Sequence, residues 1–590
     1  MKKLYILISL MFLAGFAFGQ TQVSDGDVSG TTTWTTGNTY VLSGFVFVDP
    51  GDTLIIEPGV VVKGKPGQGA NASALIVARG GYIHAEGTKE MPIIMTGEAD
   101  DLSNPVDVPA HEQGLWGGLI VLGQSCLNSA PGESSIEGIP TSEARGQYGA
   151  IGDSVDTNND MILDSWQQTE ACDDTDNSGV IKYVSIRHGG TNIGAGNEIN
   201  GLTLGGVGSG TTIDYVEVIF NQDDGIEWFG GTVNVTHAIV AHCGDDAFDY
   251  DEGWRGNVQF GFILQSDSAG SDRGGEHDGG TKPETATPFA TPHFYNITSW
   301  GRGTGAGKRA LTFRDNAGGF YVNSIFAQHG KGVDVEILGN GDDSYKQFVD
   351  GNLNLESNIF WGVGAPGVTA AAGDIFKITA AKYGCTTAMD PMQCMTDSAA
   401  EVDAAATAWE AAFAAGGNTV ADPGFQSVPA AWDNYAVALD PTPAAGGPAS
   451  QNVAMYPSDP FWKSVAYKGA FSDATPANDG KFWGAGWTLL WDTEIFGNVS
   501  IDRDVLNSAI TLYPNPNNGK FYLKMEAVNP APVEFQVIDM MGKVVANADA
   551  QPVAGIVMKS FDLAAQPAGI YVVKAVQNGE VIGIERVTKK

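Results

Sequence analysis

A chain of 590 residues has room for several ordinary domains or for one long solenoid with appendages. Its 69 acidic residues outweigh 32 basic ones, and the net charge of -37 repels phosphate backbones and anionic lipid, which excludes nucleic acid as a partner and favours divalent cations. Hydrophobic residues at 43% and charged ones at 17% supply a core and exclude global disorder.

Met1-Lys2-Lys3 and the apolar run Leu4 to Phe18, with the small residues Ala17 and Gly19, read as a secretory signal (1–19) cleaved before Gln20. Gln20 is not a cysteine, so no lipid anchor is expected, and no later apolar run is long enough to predict a membrane span. Of the five cysteines, Cys385 and Cys394 stand close enough to close a small loop. Cys126, Cys172 and Cys243 are left over, and Cys243 reads as a buried small side chain rather than a reactive thiol or metal ligand.

Residues 20–124 are short Val, Ile and Leu runs cut by Pro-Gly, Gly-Gly and Asp-Gly pairs, the signal for strands and turns. The phrases Leu54-Ile55-Ile56-Glu57-Pro58-Gly59-Val60 and Gly80-Gly81-Tyr82-Ile83-His84-Ala85-Glu86-Gly87 resemble the opening coils of secreted right-handed β-helix proteins, as does Trp116 to Gly123. Residues 125–179 interrupt the rhythm with a polar insertion, and insertions of this length are functional or disordered. Within it Asp156, Asn158, Asp160 and Asp164 take the first, third, fifth and ninth places of a calcium-loop pattern. Met161 and Gln167 replace its Gly and Glu, so an Asx-rich turn is the competing reading. Asp174, Asp176 and Ser178 form a second cluster of the same kind.

From residue 180 to 380 the chain repeats. IKYVSIRH, IDYVEVIF, VTHAIVAH, VQFGFILQ, FYNITSWG, YVNSIFAQ and LESNIFWG recur at intervals of 22 to 36 residues and superpose as one sheet. GLTL, GIEW, AFDY, ALTF, VDVE and DIFK fall between them as a second column. Self-similarity at such a period signals units that bury their apolar faces only by stacking, here as coils of a right-handed parallel β-helix. Side chains alternate along a strand, which predicts Ile226, Trp228, Phe248, Tyr250, Leu311, Phe313, Val333 and Val335 inside and Glu227, Asp249, Thr312 and Asp334 outside as one ladder. Glu227, Asp249 and Asp334 are the expected walls of a ligand groove.

Asp223-Asp224-Gly225-Ile226-Glu227 is echoed 22 residues later by Asp245-Asp246-Ala247-Phe248-Asp249. Carboxylates one coil apart lie about 4.8 Å from each other and must be solvated, protonated or bridged by a cation, so calcium is expected there. Asn221-Gln222-Asp223 and Gly244-Asp245-Asp246 also resemble the Asn-Thr-Asp and Gly-Asp-Asp signatures of polygalacturonase-type glycoside hydrolases. The resemblance implies Asp223 as general acid, with Asp245 and Asp246 activating water in an inverting displacement. That family's Gly-His-Gly and Arg-Ile-Lys do not follow: the chain has Glu276-His277-Asp278 in a second polar stretch, Ser266 to Pro292, and Lys308-Arg309-Ala310. His188, His237, His242, His277 and His329 lack zinc-ligand spacing, and His237 and His242 are expected to face opposite sides of a strand.

Residues 381–500 predict a cap: an Ala-rich helix over about 397–416 covering the end of the solenoid, then a closing segment whose aromatic residues form a plug. Residues 501–590 read as a small Ig-like β-sandwich. Leu512-Tyr513-Pro514-Asn515-Pro516, Val537 to Val545 with Gly542, and Pro567-Ala568-Gly569-Ile570-Tyr571, with the terminal Lys589-Lys590, resemble the C-terminal sorting domain of type IX secretion cargo. This implies dealings with the type IX machinery, passage through the outer membrane and, in many members, attachment to surface lipopolysaccharide. The reading for the whole is an exported or surface β-helix that binds glycan, adheres or builds envelope; the alternative is a hydrolase or lyase acting on acidic polysaccharide.

Overall fold

The computed structural model describes residues 20–102, 108, 112–155, 165–194, 197–266, 270–280, 283–338, 341–364, 375–380, 391–428, 439–472, 482–490, 510–513, 517–526, 531–539, 543–552, 556–567, 569–577 and 580–590. The signal segment, the Asp156–Asp164 loop and Cys385 lie outside them. The chain divides into two units, 1–495 and 496–590.

The first unit is a right-handed parallel β-helix. Ten parallel strands form one sheet, from Phe45–Val48 through Ala74–Val77, Leu119–Leu122, Leu202–Gly205, Ile226–Phe229, Phe248–Asp251, Gly275–Asp278, Arg309–Arg314 and Lys331–Ile337 to Phe376–Ala380. The eight side chains predicted to point inward are all buried. Buried aromatic side chains of the interior stack coil on coil, Trp228 on Trp254 at 4.4 Å and Phe294 on Tyr321 at 4.4 Å, since each coil finds its apolar partners in the coils above and below.

The strands predicted as one sheet do lie together in a single 18-stranded sheet, and the structure adds a bend to it. Residues with positive φ lie along one line, Tyr183, Tyr215, His237, Phe260, Asn296, Asn323 and Ser357, and fold that sheet into two sides. The register skips each: Lys182 pairs with Asp214 and Val184 with Val216. A left-handed conformation is costly for such side chains. Stacking offsets it: Tyr183 lies on Tyr215 at 4.4 Å, Tyr215 on His237 at 4.2 Å and His237 on Phe260 at 5.0 Å. His242 belongs to a second such line, stacked on Phe220 at 5.2 Å. The two histidines therefore sit at two successive corners rather than on opposite faces of one strand.

Three further expectations change. The stretch 266–292 is not all insertion, because Gly275–Asp278 is a full strand of the ten-stranded sheet and puts His277 inside, on Tyr250 at 4.3 Å. Cys126 and Cys172, left over in the sequence reading, form a disulfide across 46 residues. The closing segment is not a plug but a strap that runs back along the bent sheet. Ala454 bonds Asn323 (2.8 Å), Tyr456 and Tyr467 bond Asn296 (2.7 and 2.9 Å), and Lys463 bonds Gln259 (2.9 Å). Trp483 and Trp487 then meet Tyr215 edge-on, and the buried Glu217 carboxylate accepts the backbone N–H groups of Leu489 and Leu490, both at 2.9 Å. Carbonyl and amide groups of an irregular segment need such partners, and side chains projecting from the sheet supply them. The helix Pro391–Ala415 does cover the end of the coil stack, with Trp409 and Phe413 packed on Phe376 at 5.4 and 4.4 Å.

The second unit has two antiparallel sheets. Thr511–Tyr513, Lys520–Glu526 and Ile556–Asp562 form one; Val544–Ala550, Val533–Asp539, Gly569–Gln577 and Glu580–Lys589 form the other. Phe521, Leu523, Phe535, Val537, Phe561, Tyr571 and Val573 share their core. The Tyr571 hydroxyl donates to the Pro567 carbonyl at 2.7 Å, as in the tyrosine corner of Ig-like sandwiches. Of the sorting-motif residues, Pro514, Asn515, Pro516 and Gly542 lie outside the described residues.

Candidate functional site

The outward faces of the ten-stranded sheet change chemistry along the stack. Register places Phe47, Ile76, Ile120, Thr203, Glu227, Asp249, Glu276, Thr312, Asp334 and Lys377 in one column. The apolar first three are covered by the insertion, whose Leu127, Ile136, Ile139 and Tyr148 pack on them. The acidic members begin at Glu227, at the edge of that cover.

Two turn columns flank this ladder. Two residues before the strand come Asn200, Asp224, Asp246 and Arg273; three residues before come Asp223, Asp245 and Asp272. The turns are drawn tightly against the bent sheet. A Cβ on Gly225 would stand 2.2 Å from Val240 Cγ1 and 2.7 Å from the Ala247 carbonyl, so the Asp-Gly-Ile phrase reflects close packing more than turn geometry.

The two flanking columns and the ladder converge. Among the described residues, three trios have carboxylate oxygens within 4.8 Å of one another: Asp223 with Asp224 and Asp245, Asp224 with Asp246 and Asp249, and Asp245 with Asp246 and Asp272. Asp224 and Asp246 are buried, Asp223 is half-buried and Asp245 is exposed. Glu227 is buried too, beneath the insertion. Asn200 Nδ2 donates to Glu227 and to Glu137 of the insertion, the latter at 3.0 Å. Burial, then repulsion from Glu137, Glu198 and Asp245, pushes the Asp223 carboxyl up to about 7. Burial foremost, with neighbouring carboxylates, also raises Asp224, Glu227, Asp246 and Asp249 well above the usual carboxylate range, and raises Asp245 and Glu276.

The counter-charges lie on one side. Arg273 Nη1 meets Asp246 (2.9 Å), Asp272 (3.1 Å) and Glu276 (2.8 Å), Arg314 holds Glu276 and Asp278 at 2.7 and 2.6 Å, and Lys308 reaches Asp272 at 2.8 Å. Asp246 is further fixed by the Arg273 backbone N–H, and its own N–H donates to Asp224 at 2.8 Å.

The structure thus brings Asp223, Asp245, Asp246, Glu227 and Asp249 together. It does not include Asp334, which lies two strands beyond Glu276 and is buried in a 2.9 Å ion pair with Arg309. Glu227 is closed over rather than open to a groove. Sequence reasoning missed Glu137, Asn200 and Arg273, and it placed Asp272 and Glu276 in an insertion instead of at this site. The signal for the last three was the phrase Asp272 to Asp278, in which Asp-Arg-Gly-Gly-Glu repeats the Asp-Asp-Gly-Ile-Glu of the earlier coil. Glu137 had none, because only the folding of the insertion brings it here.

Residues 26–160 and 170–414 match the model of the pectate-lyase-like β-helix domain, and residues 511–589 match the secretion system C-terminal sorting domain. No curated protein sequence matches the chain. Among solved structures, full-length tailspike protein 2 from Escherichia coli O157:H7 bacteriophage CAB120 aligns at 8% identity and a TM-score of 0.19, over 95% of this chain and 64% of that one. The sorting domain makes the protein a type IX secretion cargo delivered to the cell surface or beyond it. With more than half of its length matched, the chain belongs to the pectate-lyase-like β-helix domain family.

Proposed function

We propose that this exported β-helix binds acidic polysaccharide through a divalent cation, calcium by its chemistry, held by Asp223, Asp224 and Asp245 at the mouth of the acidic cluster. The observation that carries the reading is the excess of carboxylates over cations. Asp223, Asp224 and Asp249 have no ion-pair partner within 4.0 Å among the described residues, whereas Asp246, Asp272 and Glu276 share Arg273. A hard cation with six to eight oxygen ligands suits an all-carboxylate set. The outer trio is partly open, which leaves coordination positions for the carboxylate and hydroxyl oxygens of a uronic or similarly acidic sugar. Asn200 Oδ1, buried without a partner beside Glu227, marks a further oxygen ready for a ligand or an ordered water. Display at the surface, with attachment to lipopolysaccharide, makes adhesion or envelope building the cellular consequence.

A second reading, cleavage of the same polysaccharide, is favoured by one feature: a carboxyl at about 7 on Asp223 suits a general acid. Spacing weighs against the inverting scheme. The Asp223 and Asp245 carboxylates approach within 4.8 Å, whereas an inverting pair stands about 6.5–9.5 Å apart to admit water. Calorimetry with oligogalacturonate and alginate oligosaccharides, in calcium and in EDTA, tests the binding. Affinity that needs calcium and disappears in Asp224→Asn is expected; equal affinity in EDTA overturns the cation. Release of reducing or unsaturated sugar ends by the wild type, abolished in Asp223→Asn, would establish the second reading.

A further inference from the structure

The insertion carries a groove whose chemistry differs from that of the acidic cluster. Its volume is about 620 Å³, and Glu133, Ser135, Gln147, Ser154, Ser165 and Trp166 are among its lining residues. Two antiparallel pairs build it: Glu133–Ser135 with Gln147–Gly149, and Ile151–Val155 with Ser165–Glu170. Trp166 stands directly across from Ser154. Its ring rests on the chain at Gly152, where an added Cβ would come within 2.2 Å of ring atoms Cε2 and Cζ2. Its Nε1 donates to Glu133 Oε2 at 3.0 Å, and Glu133 Oε1 is ion-paired with Arg79 at 2.8 Å. Glu133, the only carboxylate among the described lining residues, is therefore ion-paired through one oxygen and hydrogen-bonded through the other, in contrast to the carboxylates of the acidic cluster that lack an ion pair. The hydroxyls of Ser135, Ser154 and Ser165 and the amide of Gln147 have no side-chain hydrogen-bond partner among the described residues.

The walls are fixed in place. The Cys126–Cys172 disulfide closes the insertion, and Arg79 also donates to the carbonyls of Gly149 and Ala150 at 3.0 and 2.7 Å. A preset indole platform, a ring of uncommitted hydroxyl and amide groups, and no net charge among the described lining residues are complementary to one class of ligand. Pyranose rings offer a face of C–H groups to an aromatic surface and hydroxyls at the rim, and the volume falls in the usual ligand-site range of about 300–1,000 Å³.

We propose that this groove binds a neutral saccharide chain, independently of calcium and of the acidic cluster. The full exported chain is titrated calorimetrically with cellohexaose, mannohexaose and chitohexaose in EDTA. Binding to at least one is expected, weakened about tenfold or more in Trp166→Ala, as loss of one aromatic platform implies. Ser135→Trp, which fills the groove without removing a framework contact, should block the same probe, while Asp224→Asn should bind it as the wild type does. The inference is overturned by absence of binding to all three probes, or by wild-type affinity in both groove variants. Because Asp224→Asn disables only the acidic cluster, failure of either site is read separately from failure of the other.

Discussion

The cation site proposed at the acidic cluster makes residue-scale behaviour measurable. Asp223 is raised from 3.8 to about 7 because folding buries it beside Glu137, Glu198 and Asp245. A carboxyl whose folded value is raised favours the protonated folded state. Its contribution to stability is full below about pH 4 and is lost as pH rises through about 7. Metal-free protein should therefore melt lower at pH 8 than at pH 5. Calcium should raise the melting temperature more at pH 8, and Asp224→Asn should reduce that calcium response. Scanning calorimetry with and without EDTA checks all three, and a calcium response equal at the two pH values would contradict the account. Glu217 offers a second residue-scale test. Its buried carboxylate satisfies two strap amides, and leaving a buried N–H unpaired costs about 1–3 kcal/mol. Glu217→Ala should lower stability by about 2–5 kcal/mol and expose the strap at Leu489 and Leu490 to hydrogen exchange, with the solenoid core still protected.

At the scale of elements, the insertion 125–179 is a roof as well as a groove. It covers Phe47, Ile76 and Ile120 and brings Glu137 to the cluster edge, where Asn200 links it to Glu227. The disulfide closes a 46-residue separation, and chain-entropy reasoning gives such a bond about 4 kcal/mol. The double variant Cys126→Ser, Cys172→Ser should show earlier proteolysis within the insertion and a lower melting temperature, while the later coils keep their parallel pairing; unchanged protease resistance would show that the packing alone suffices. The bent sheet and its strap form a second case. Asn296, Asn323 and the Tyr183-Tyr215-His237 stack are corner residues that also receive the strap, so one column of side chains both turns the chain and anchors the returning segment.

For the whole molecule, the two units divide the work by chemistry. The β-helix holds carboxylates in fixed columns, and the sorting sandwich carries the type IX address. Deletion of residues 511–590 should leave the β-helix folded but retained inside the cell envelope, as fractionation and protease accessibility of intact cells would show. Appearance of the truncated protein at the surface would locate the address elsewhere.

Repetition made much of this protein legible. Strand periodicity and the 22-residue echo of Asp223 to Glu227 fixed the solenoid, its inward residues and the Glu227–Asp249 ladder, because a parallel coil converts sequence spacing directly into vertical neighbours. The C-terminal motifs marked the sorting unit in the same direct way. Tertiary structure alone decided what lies between repeats. The Cys126–Cys172 pairing, Glu137 over the cluster, the strap along the bent sheet and the groove at Trp166 all join residues tens to hundreds of positions apart. Such contacts follow from how insertions pack on the finished solenoid, and no local period or propensity encodes them.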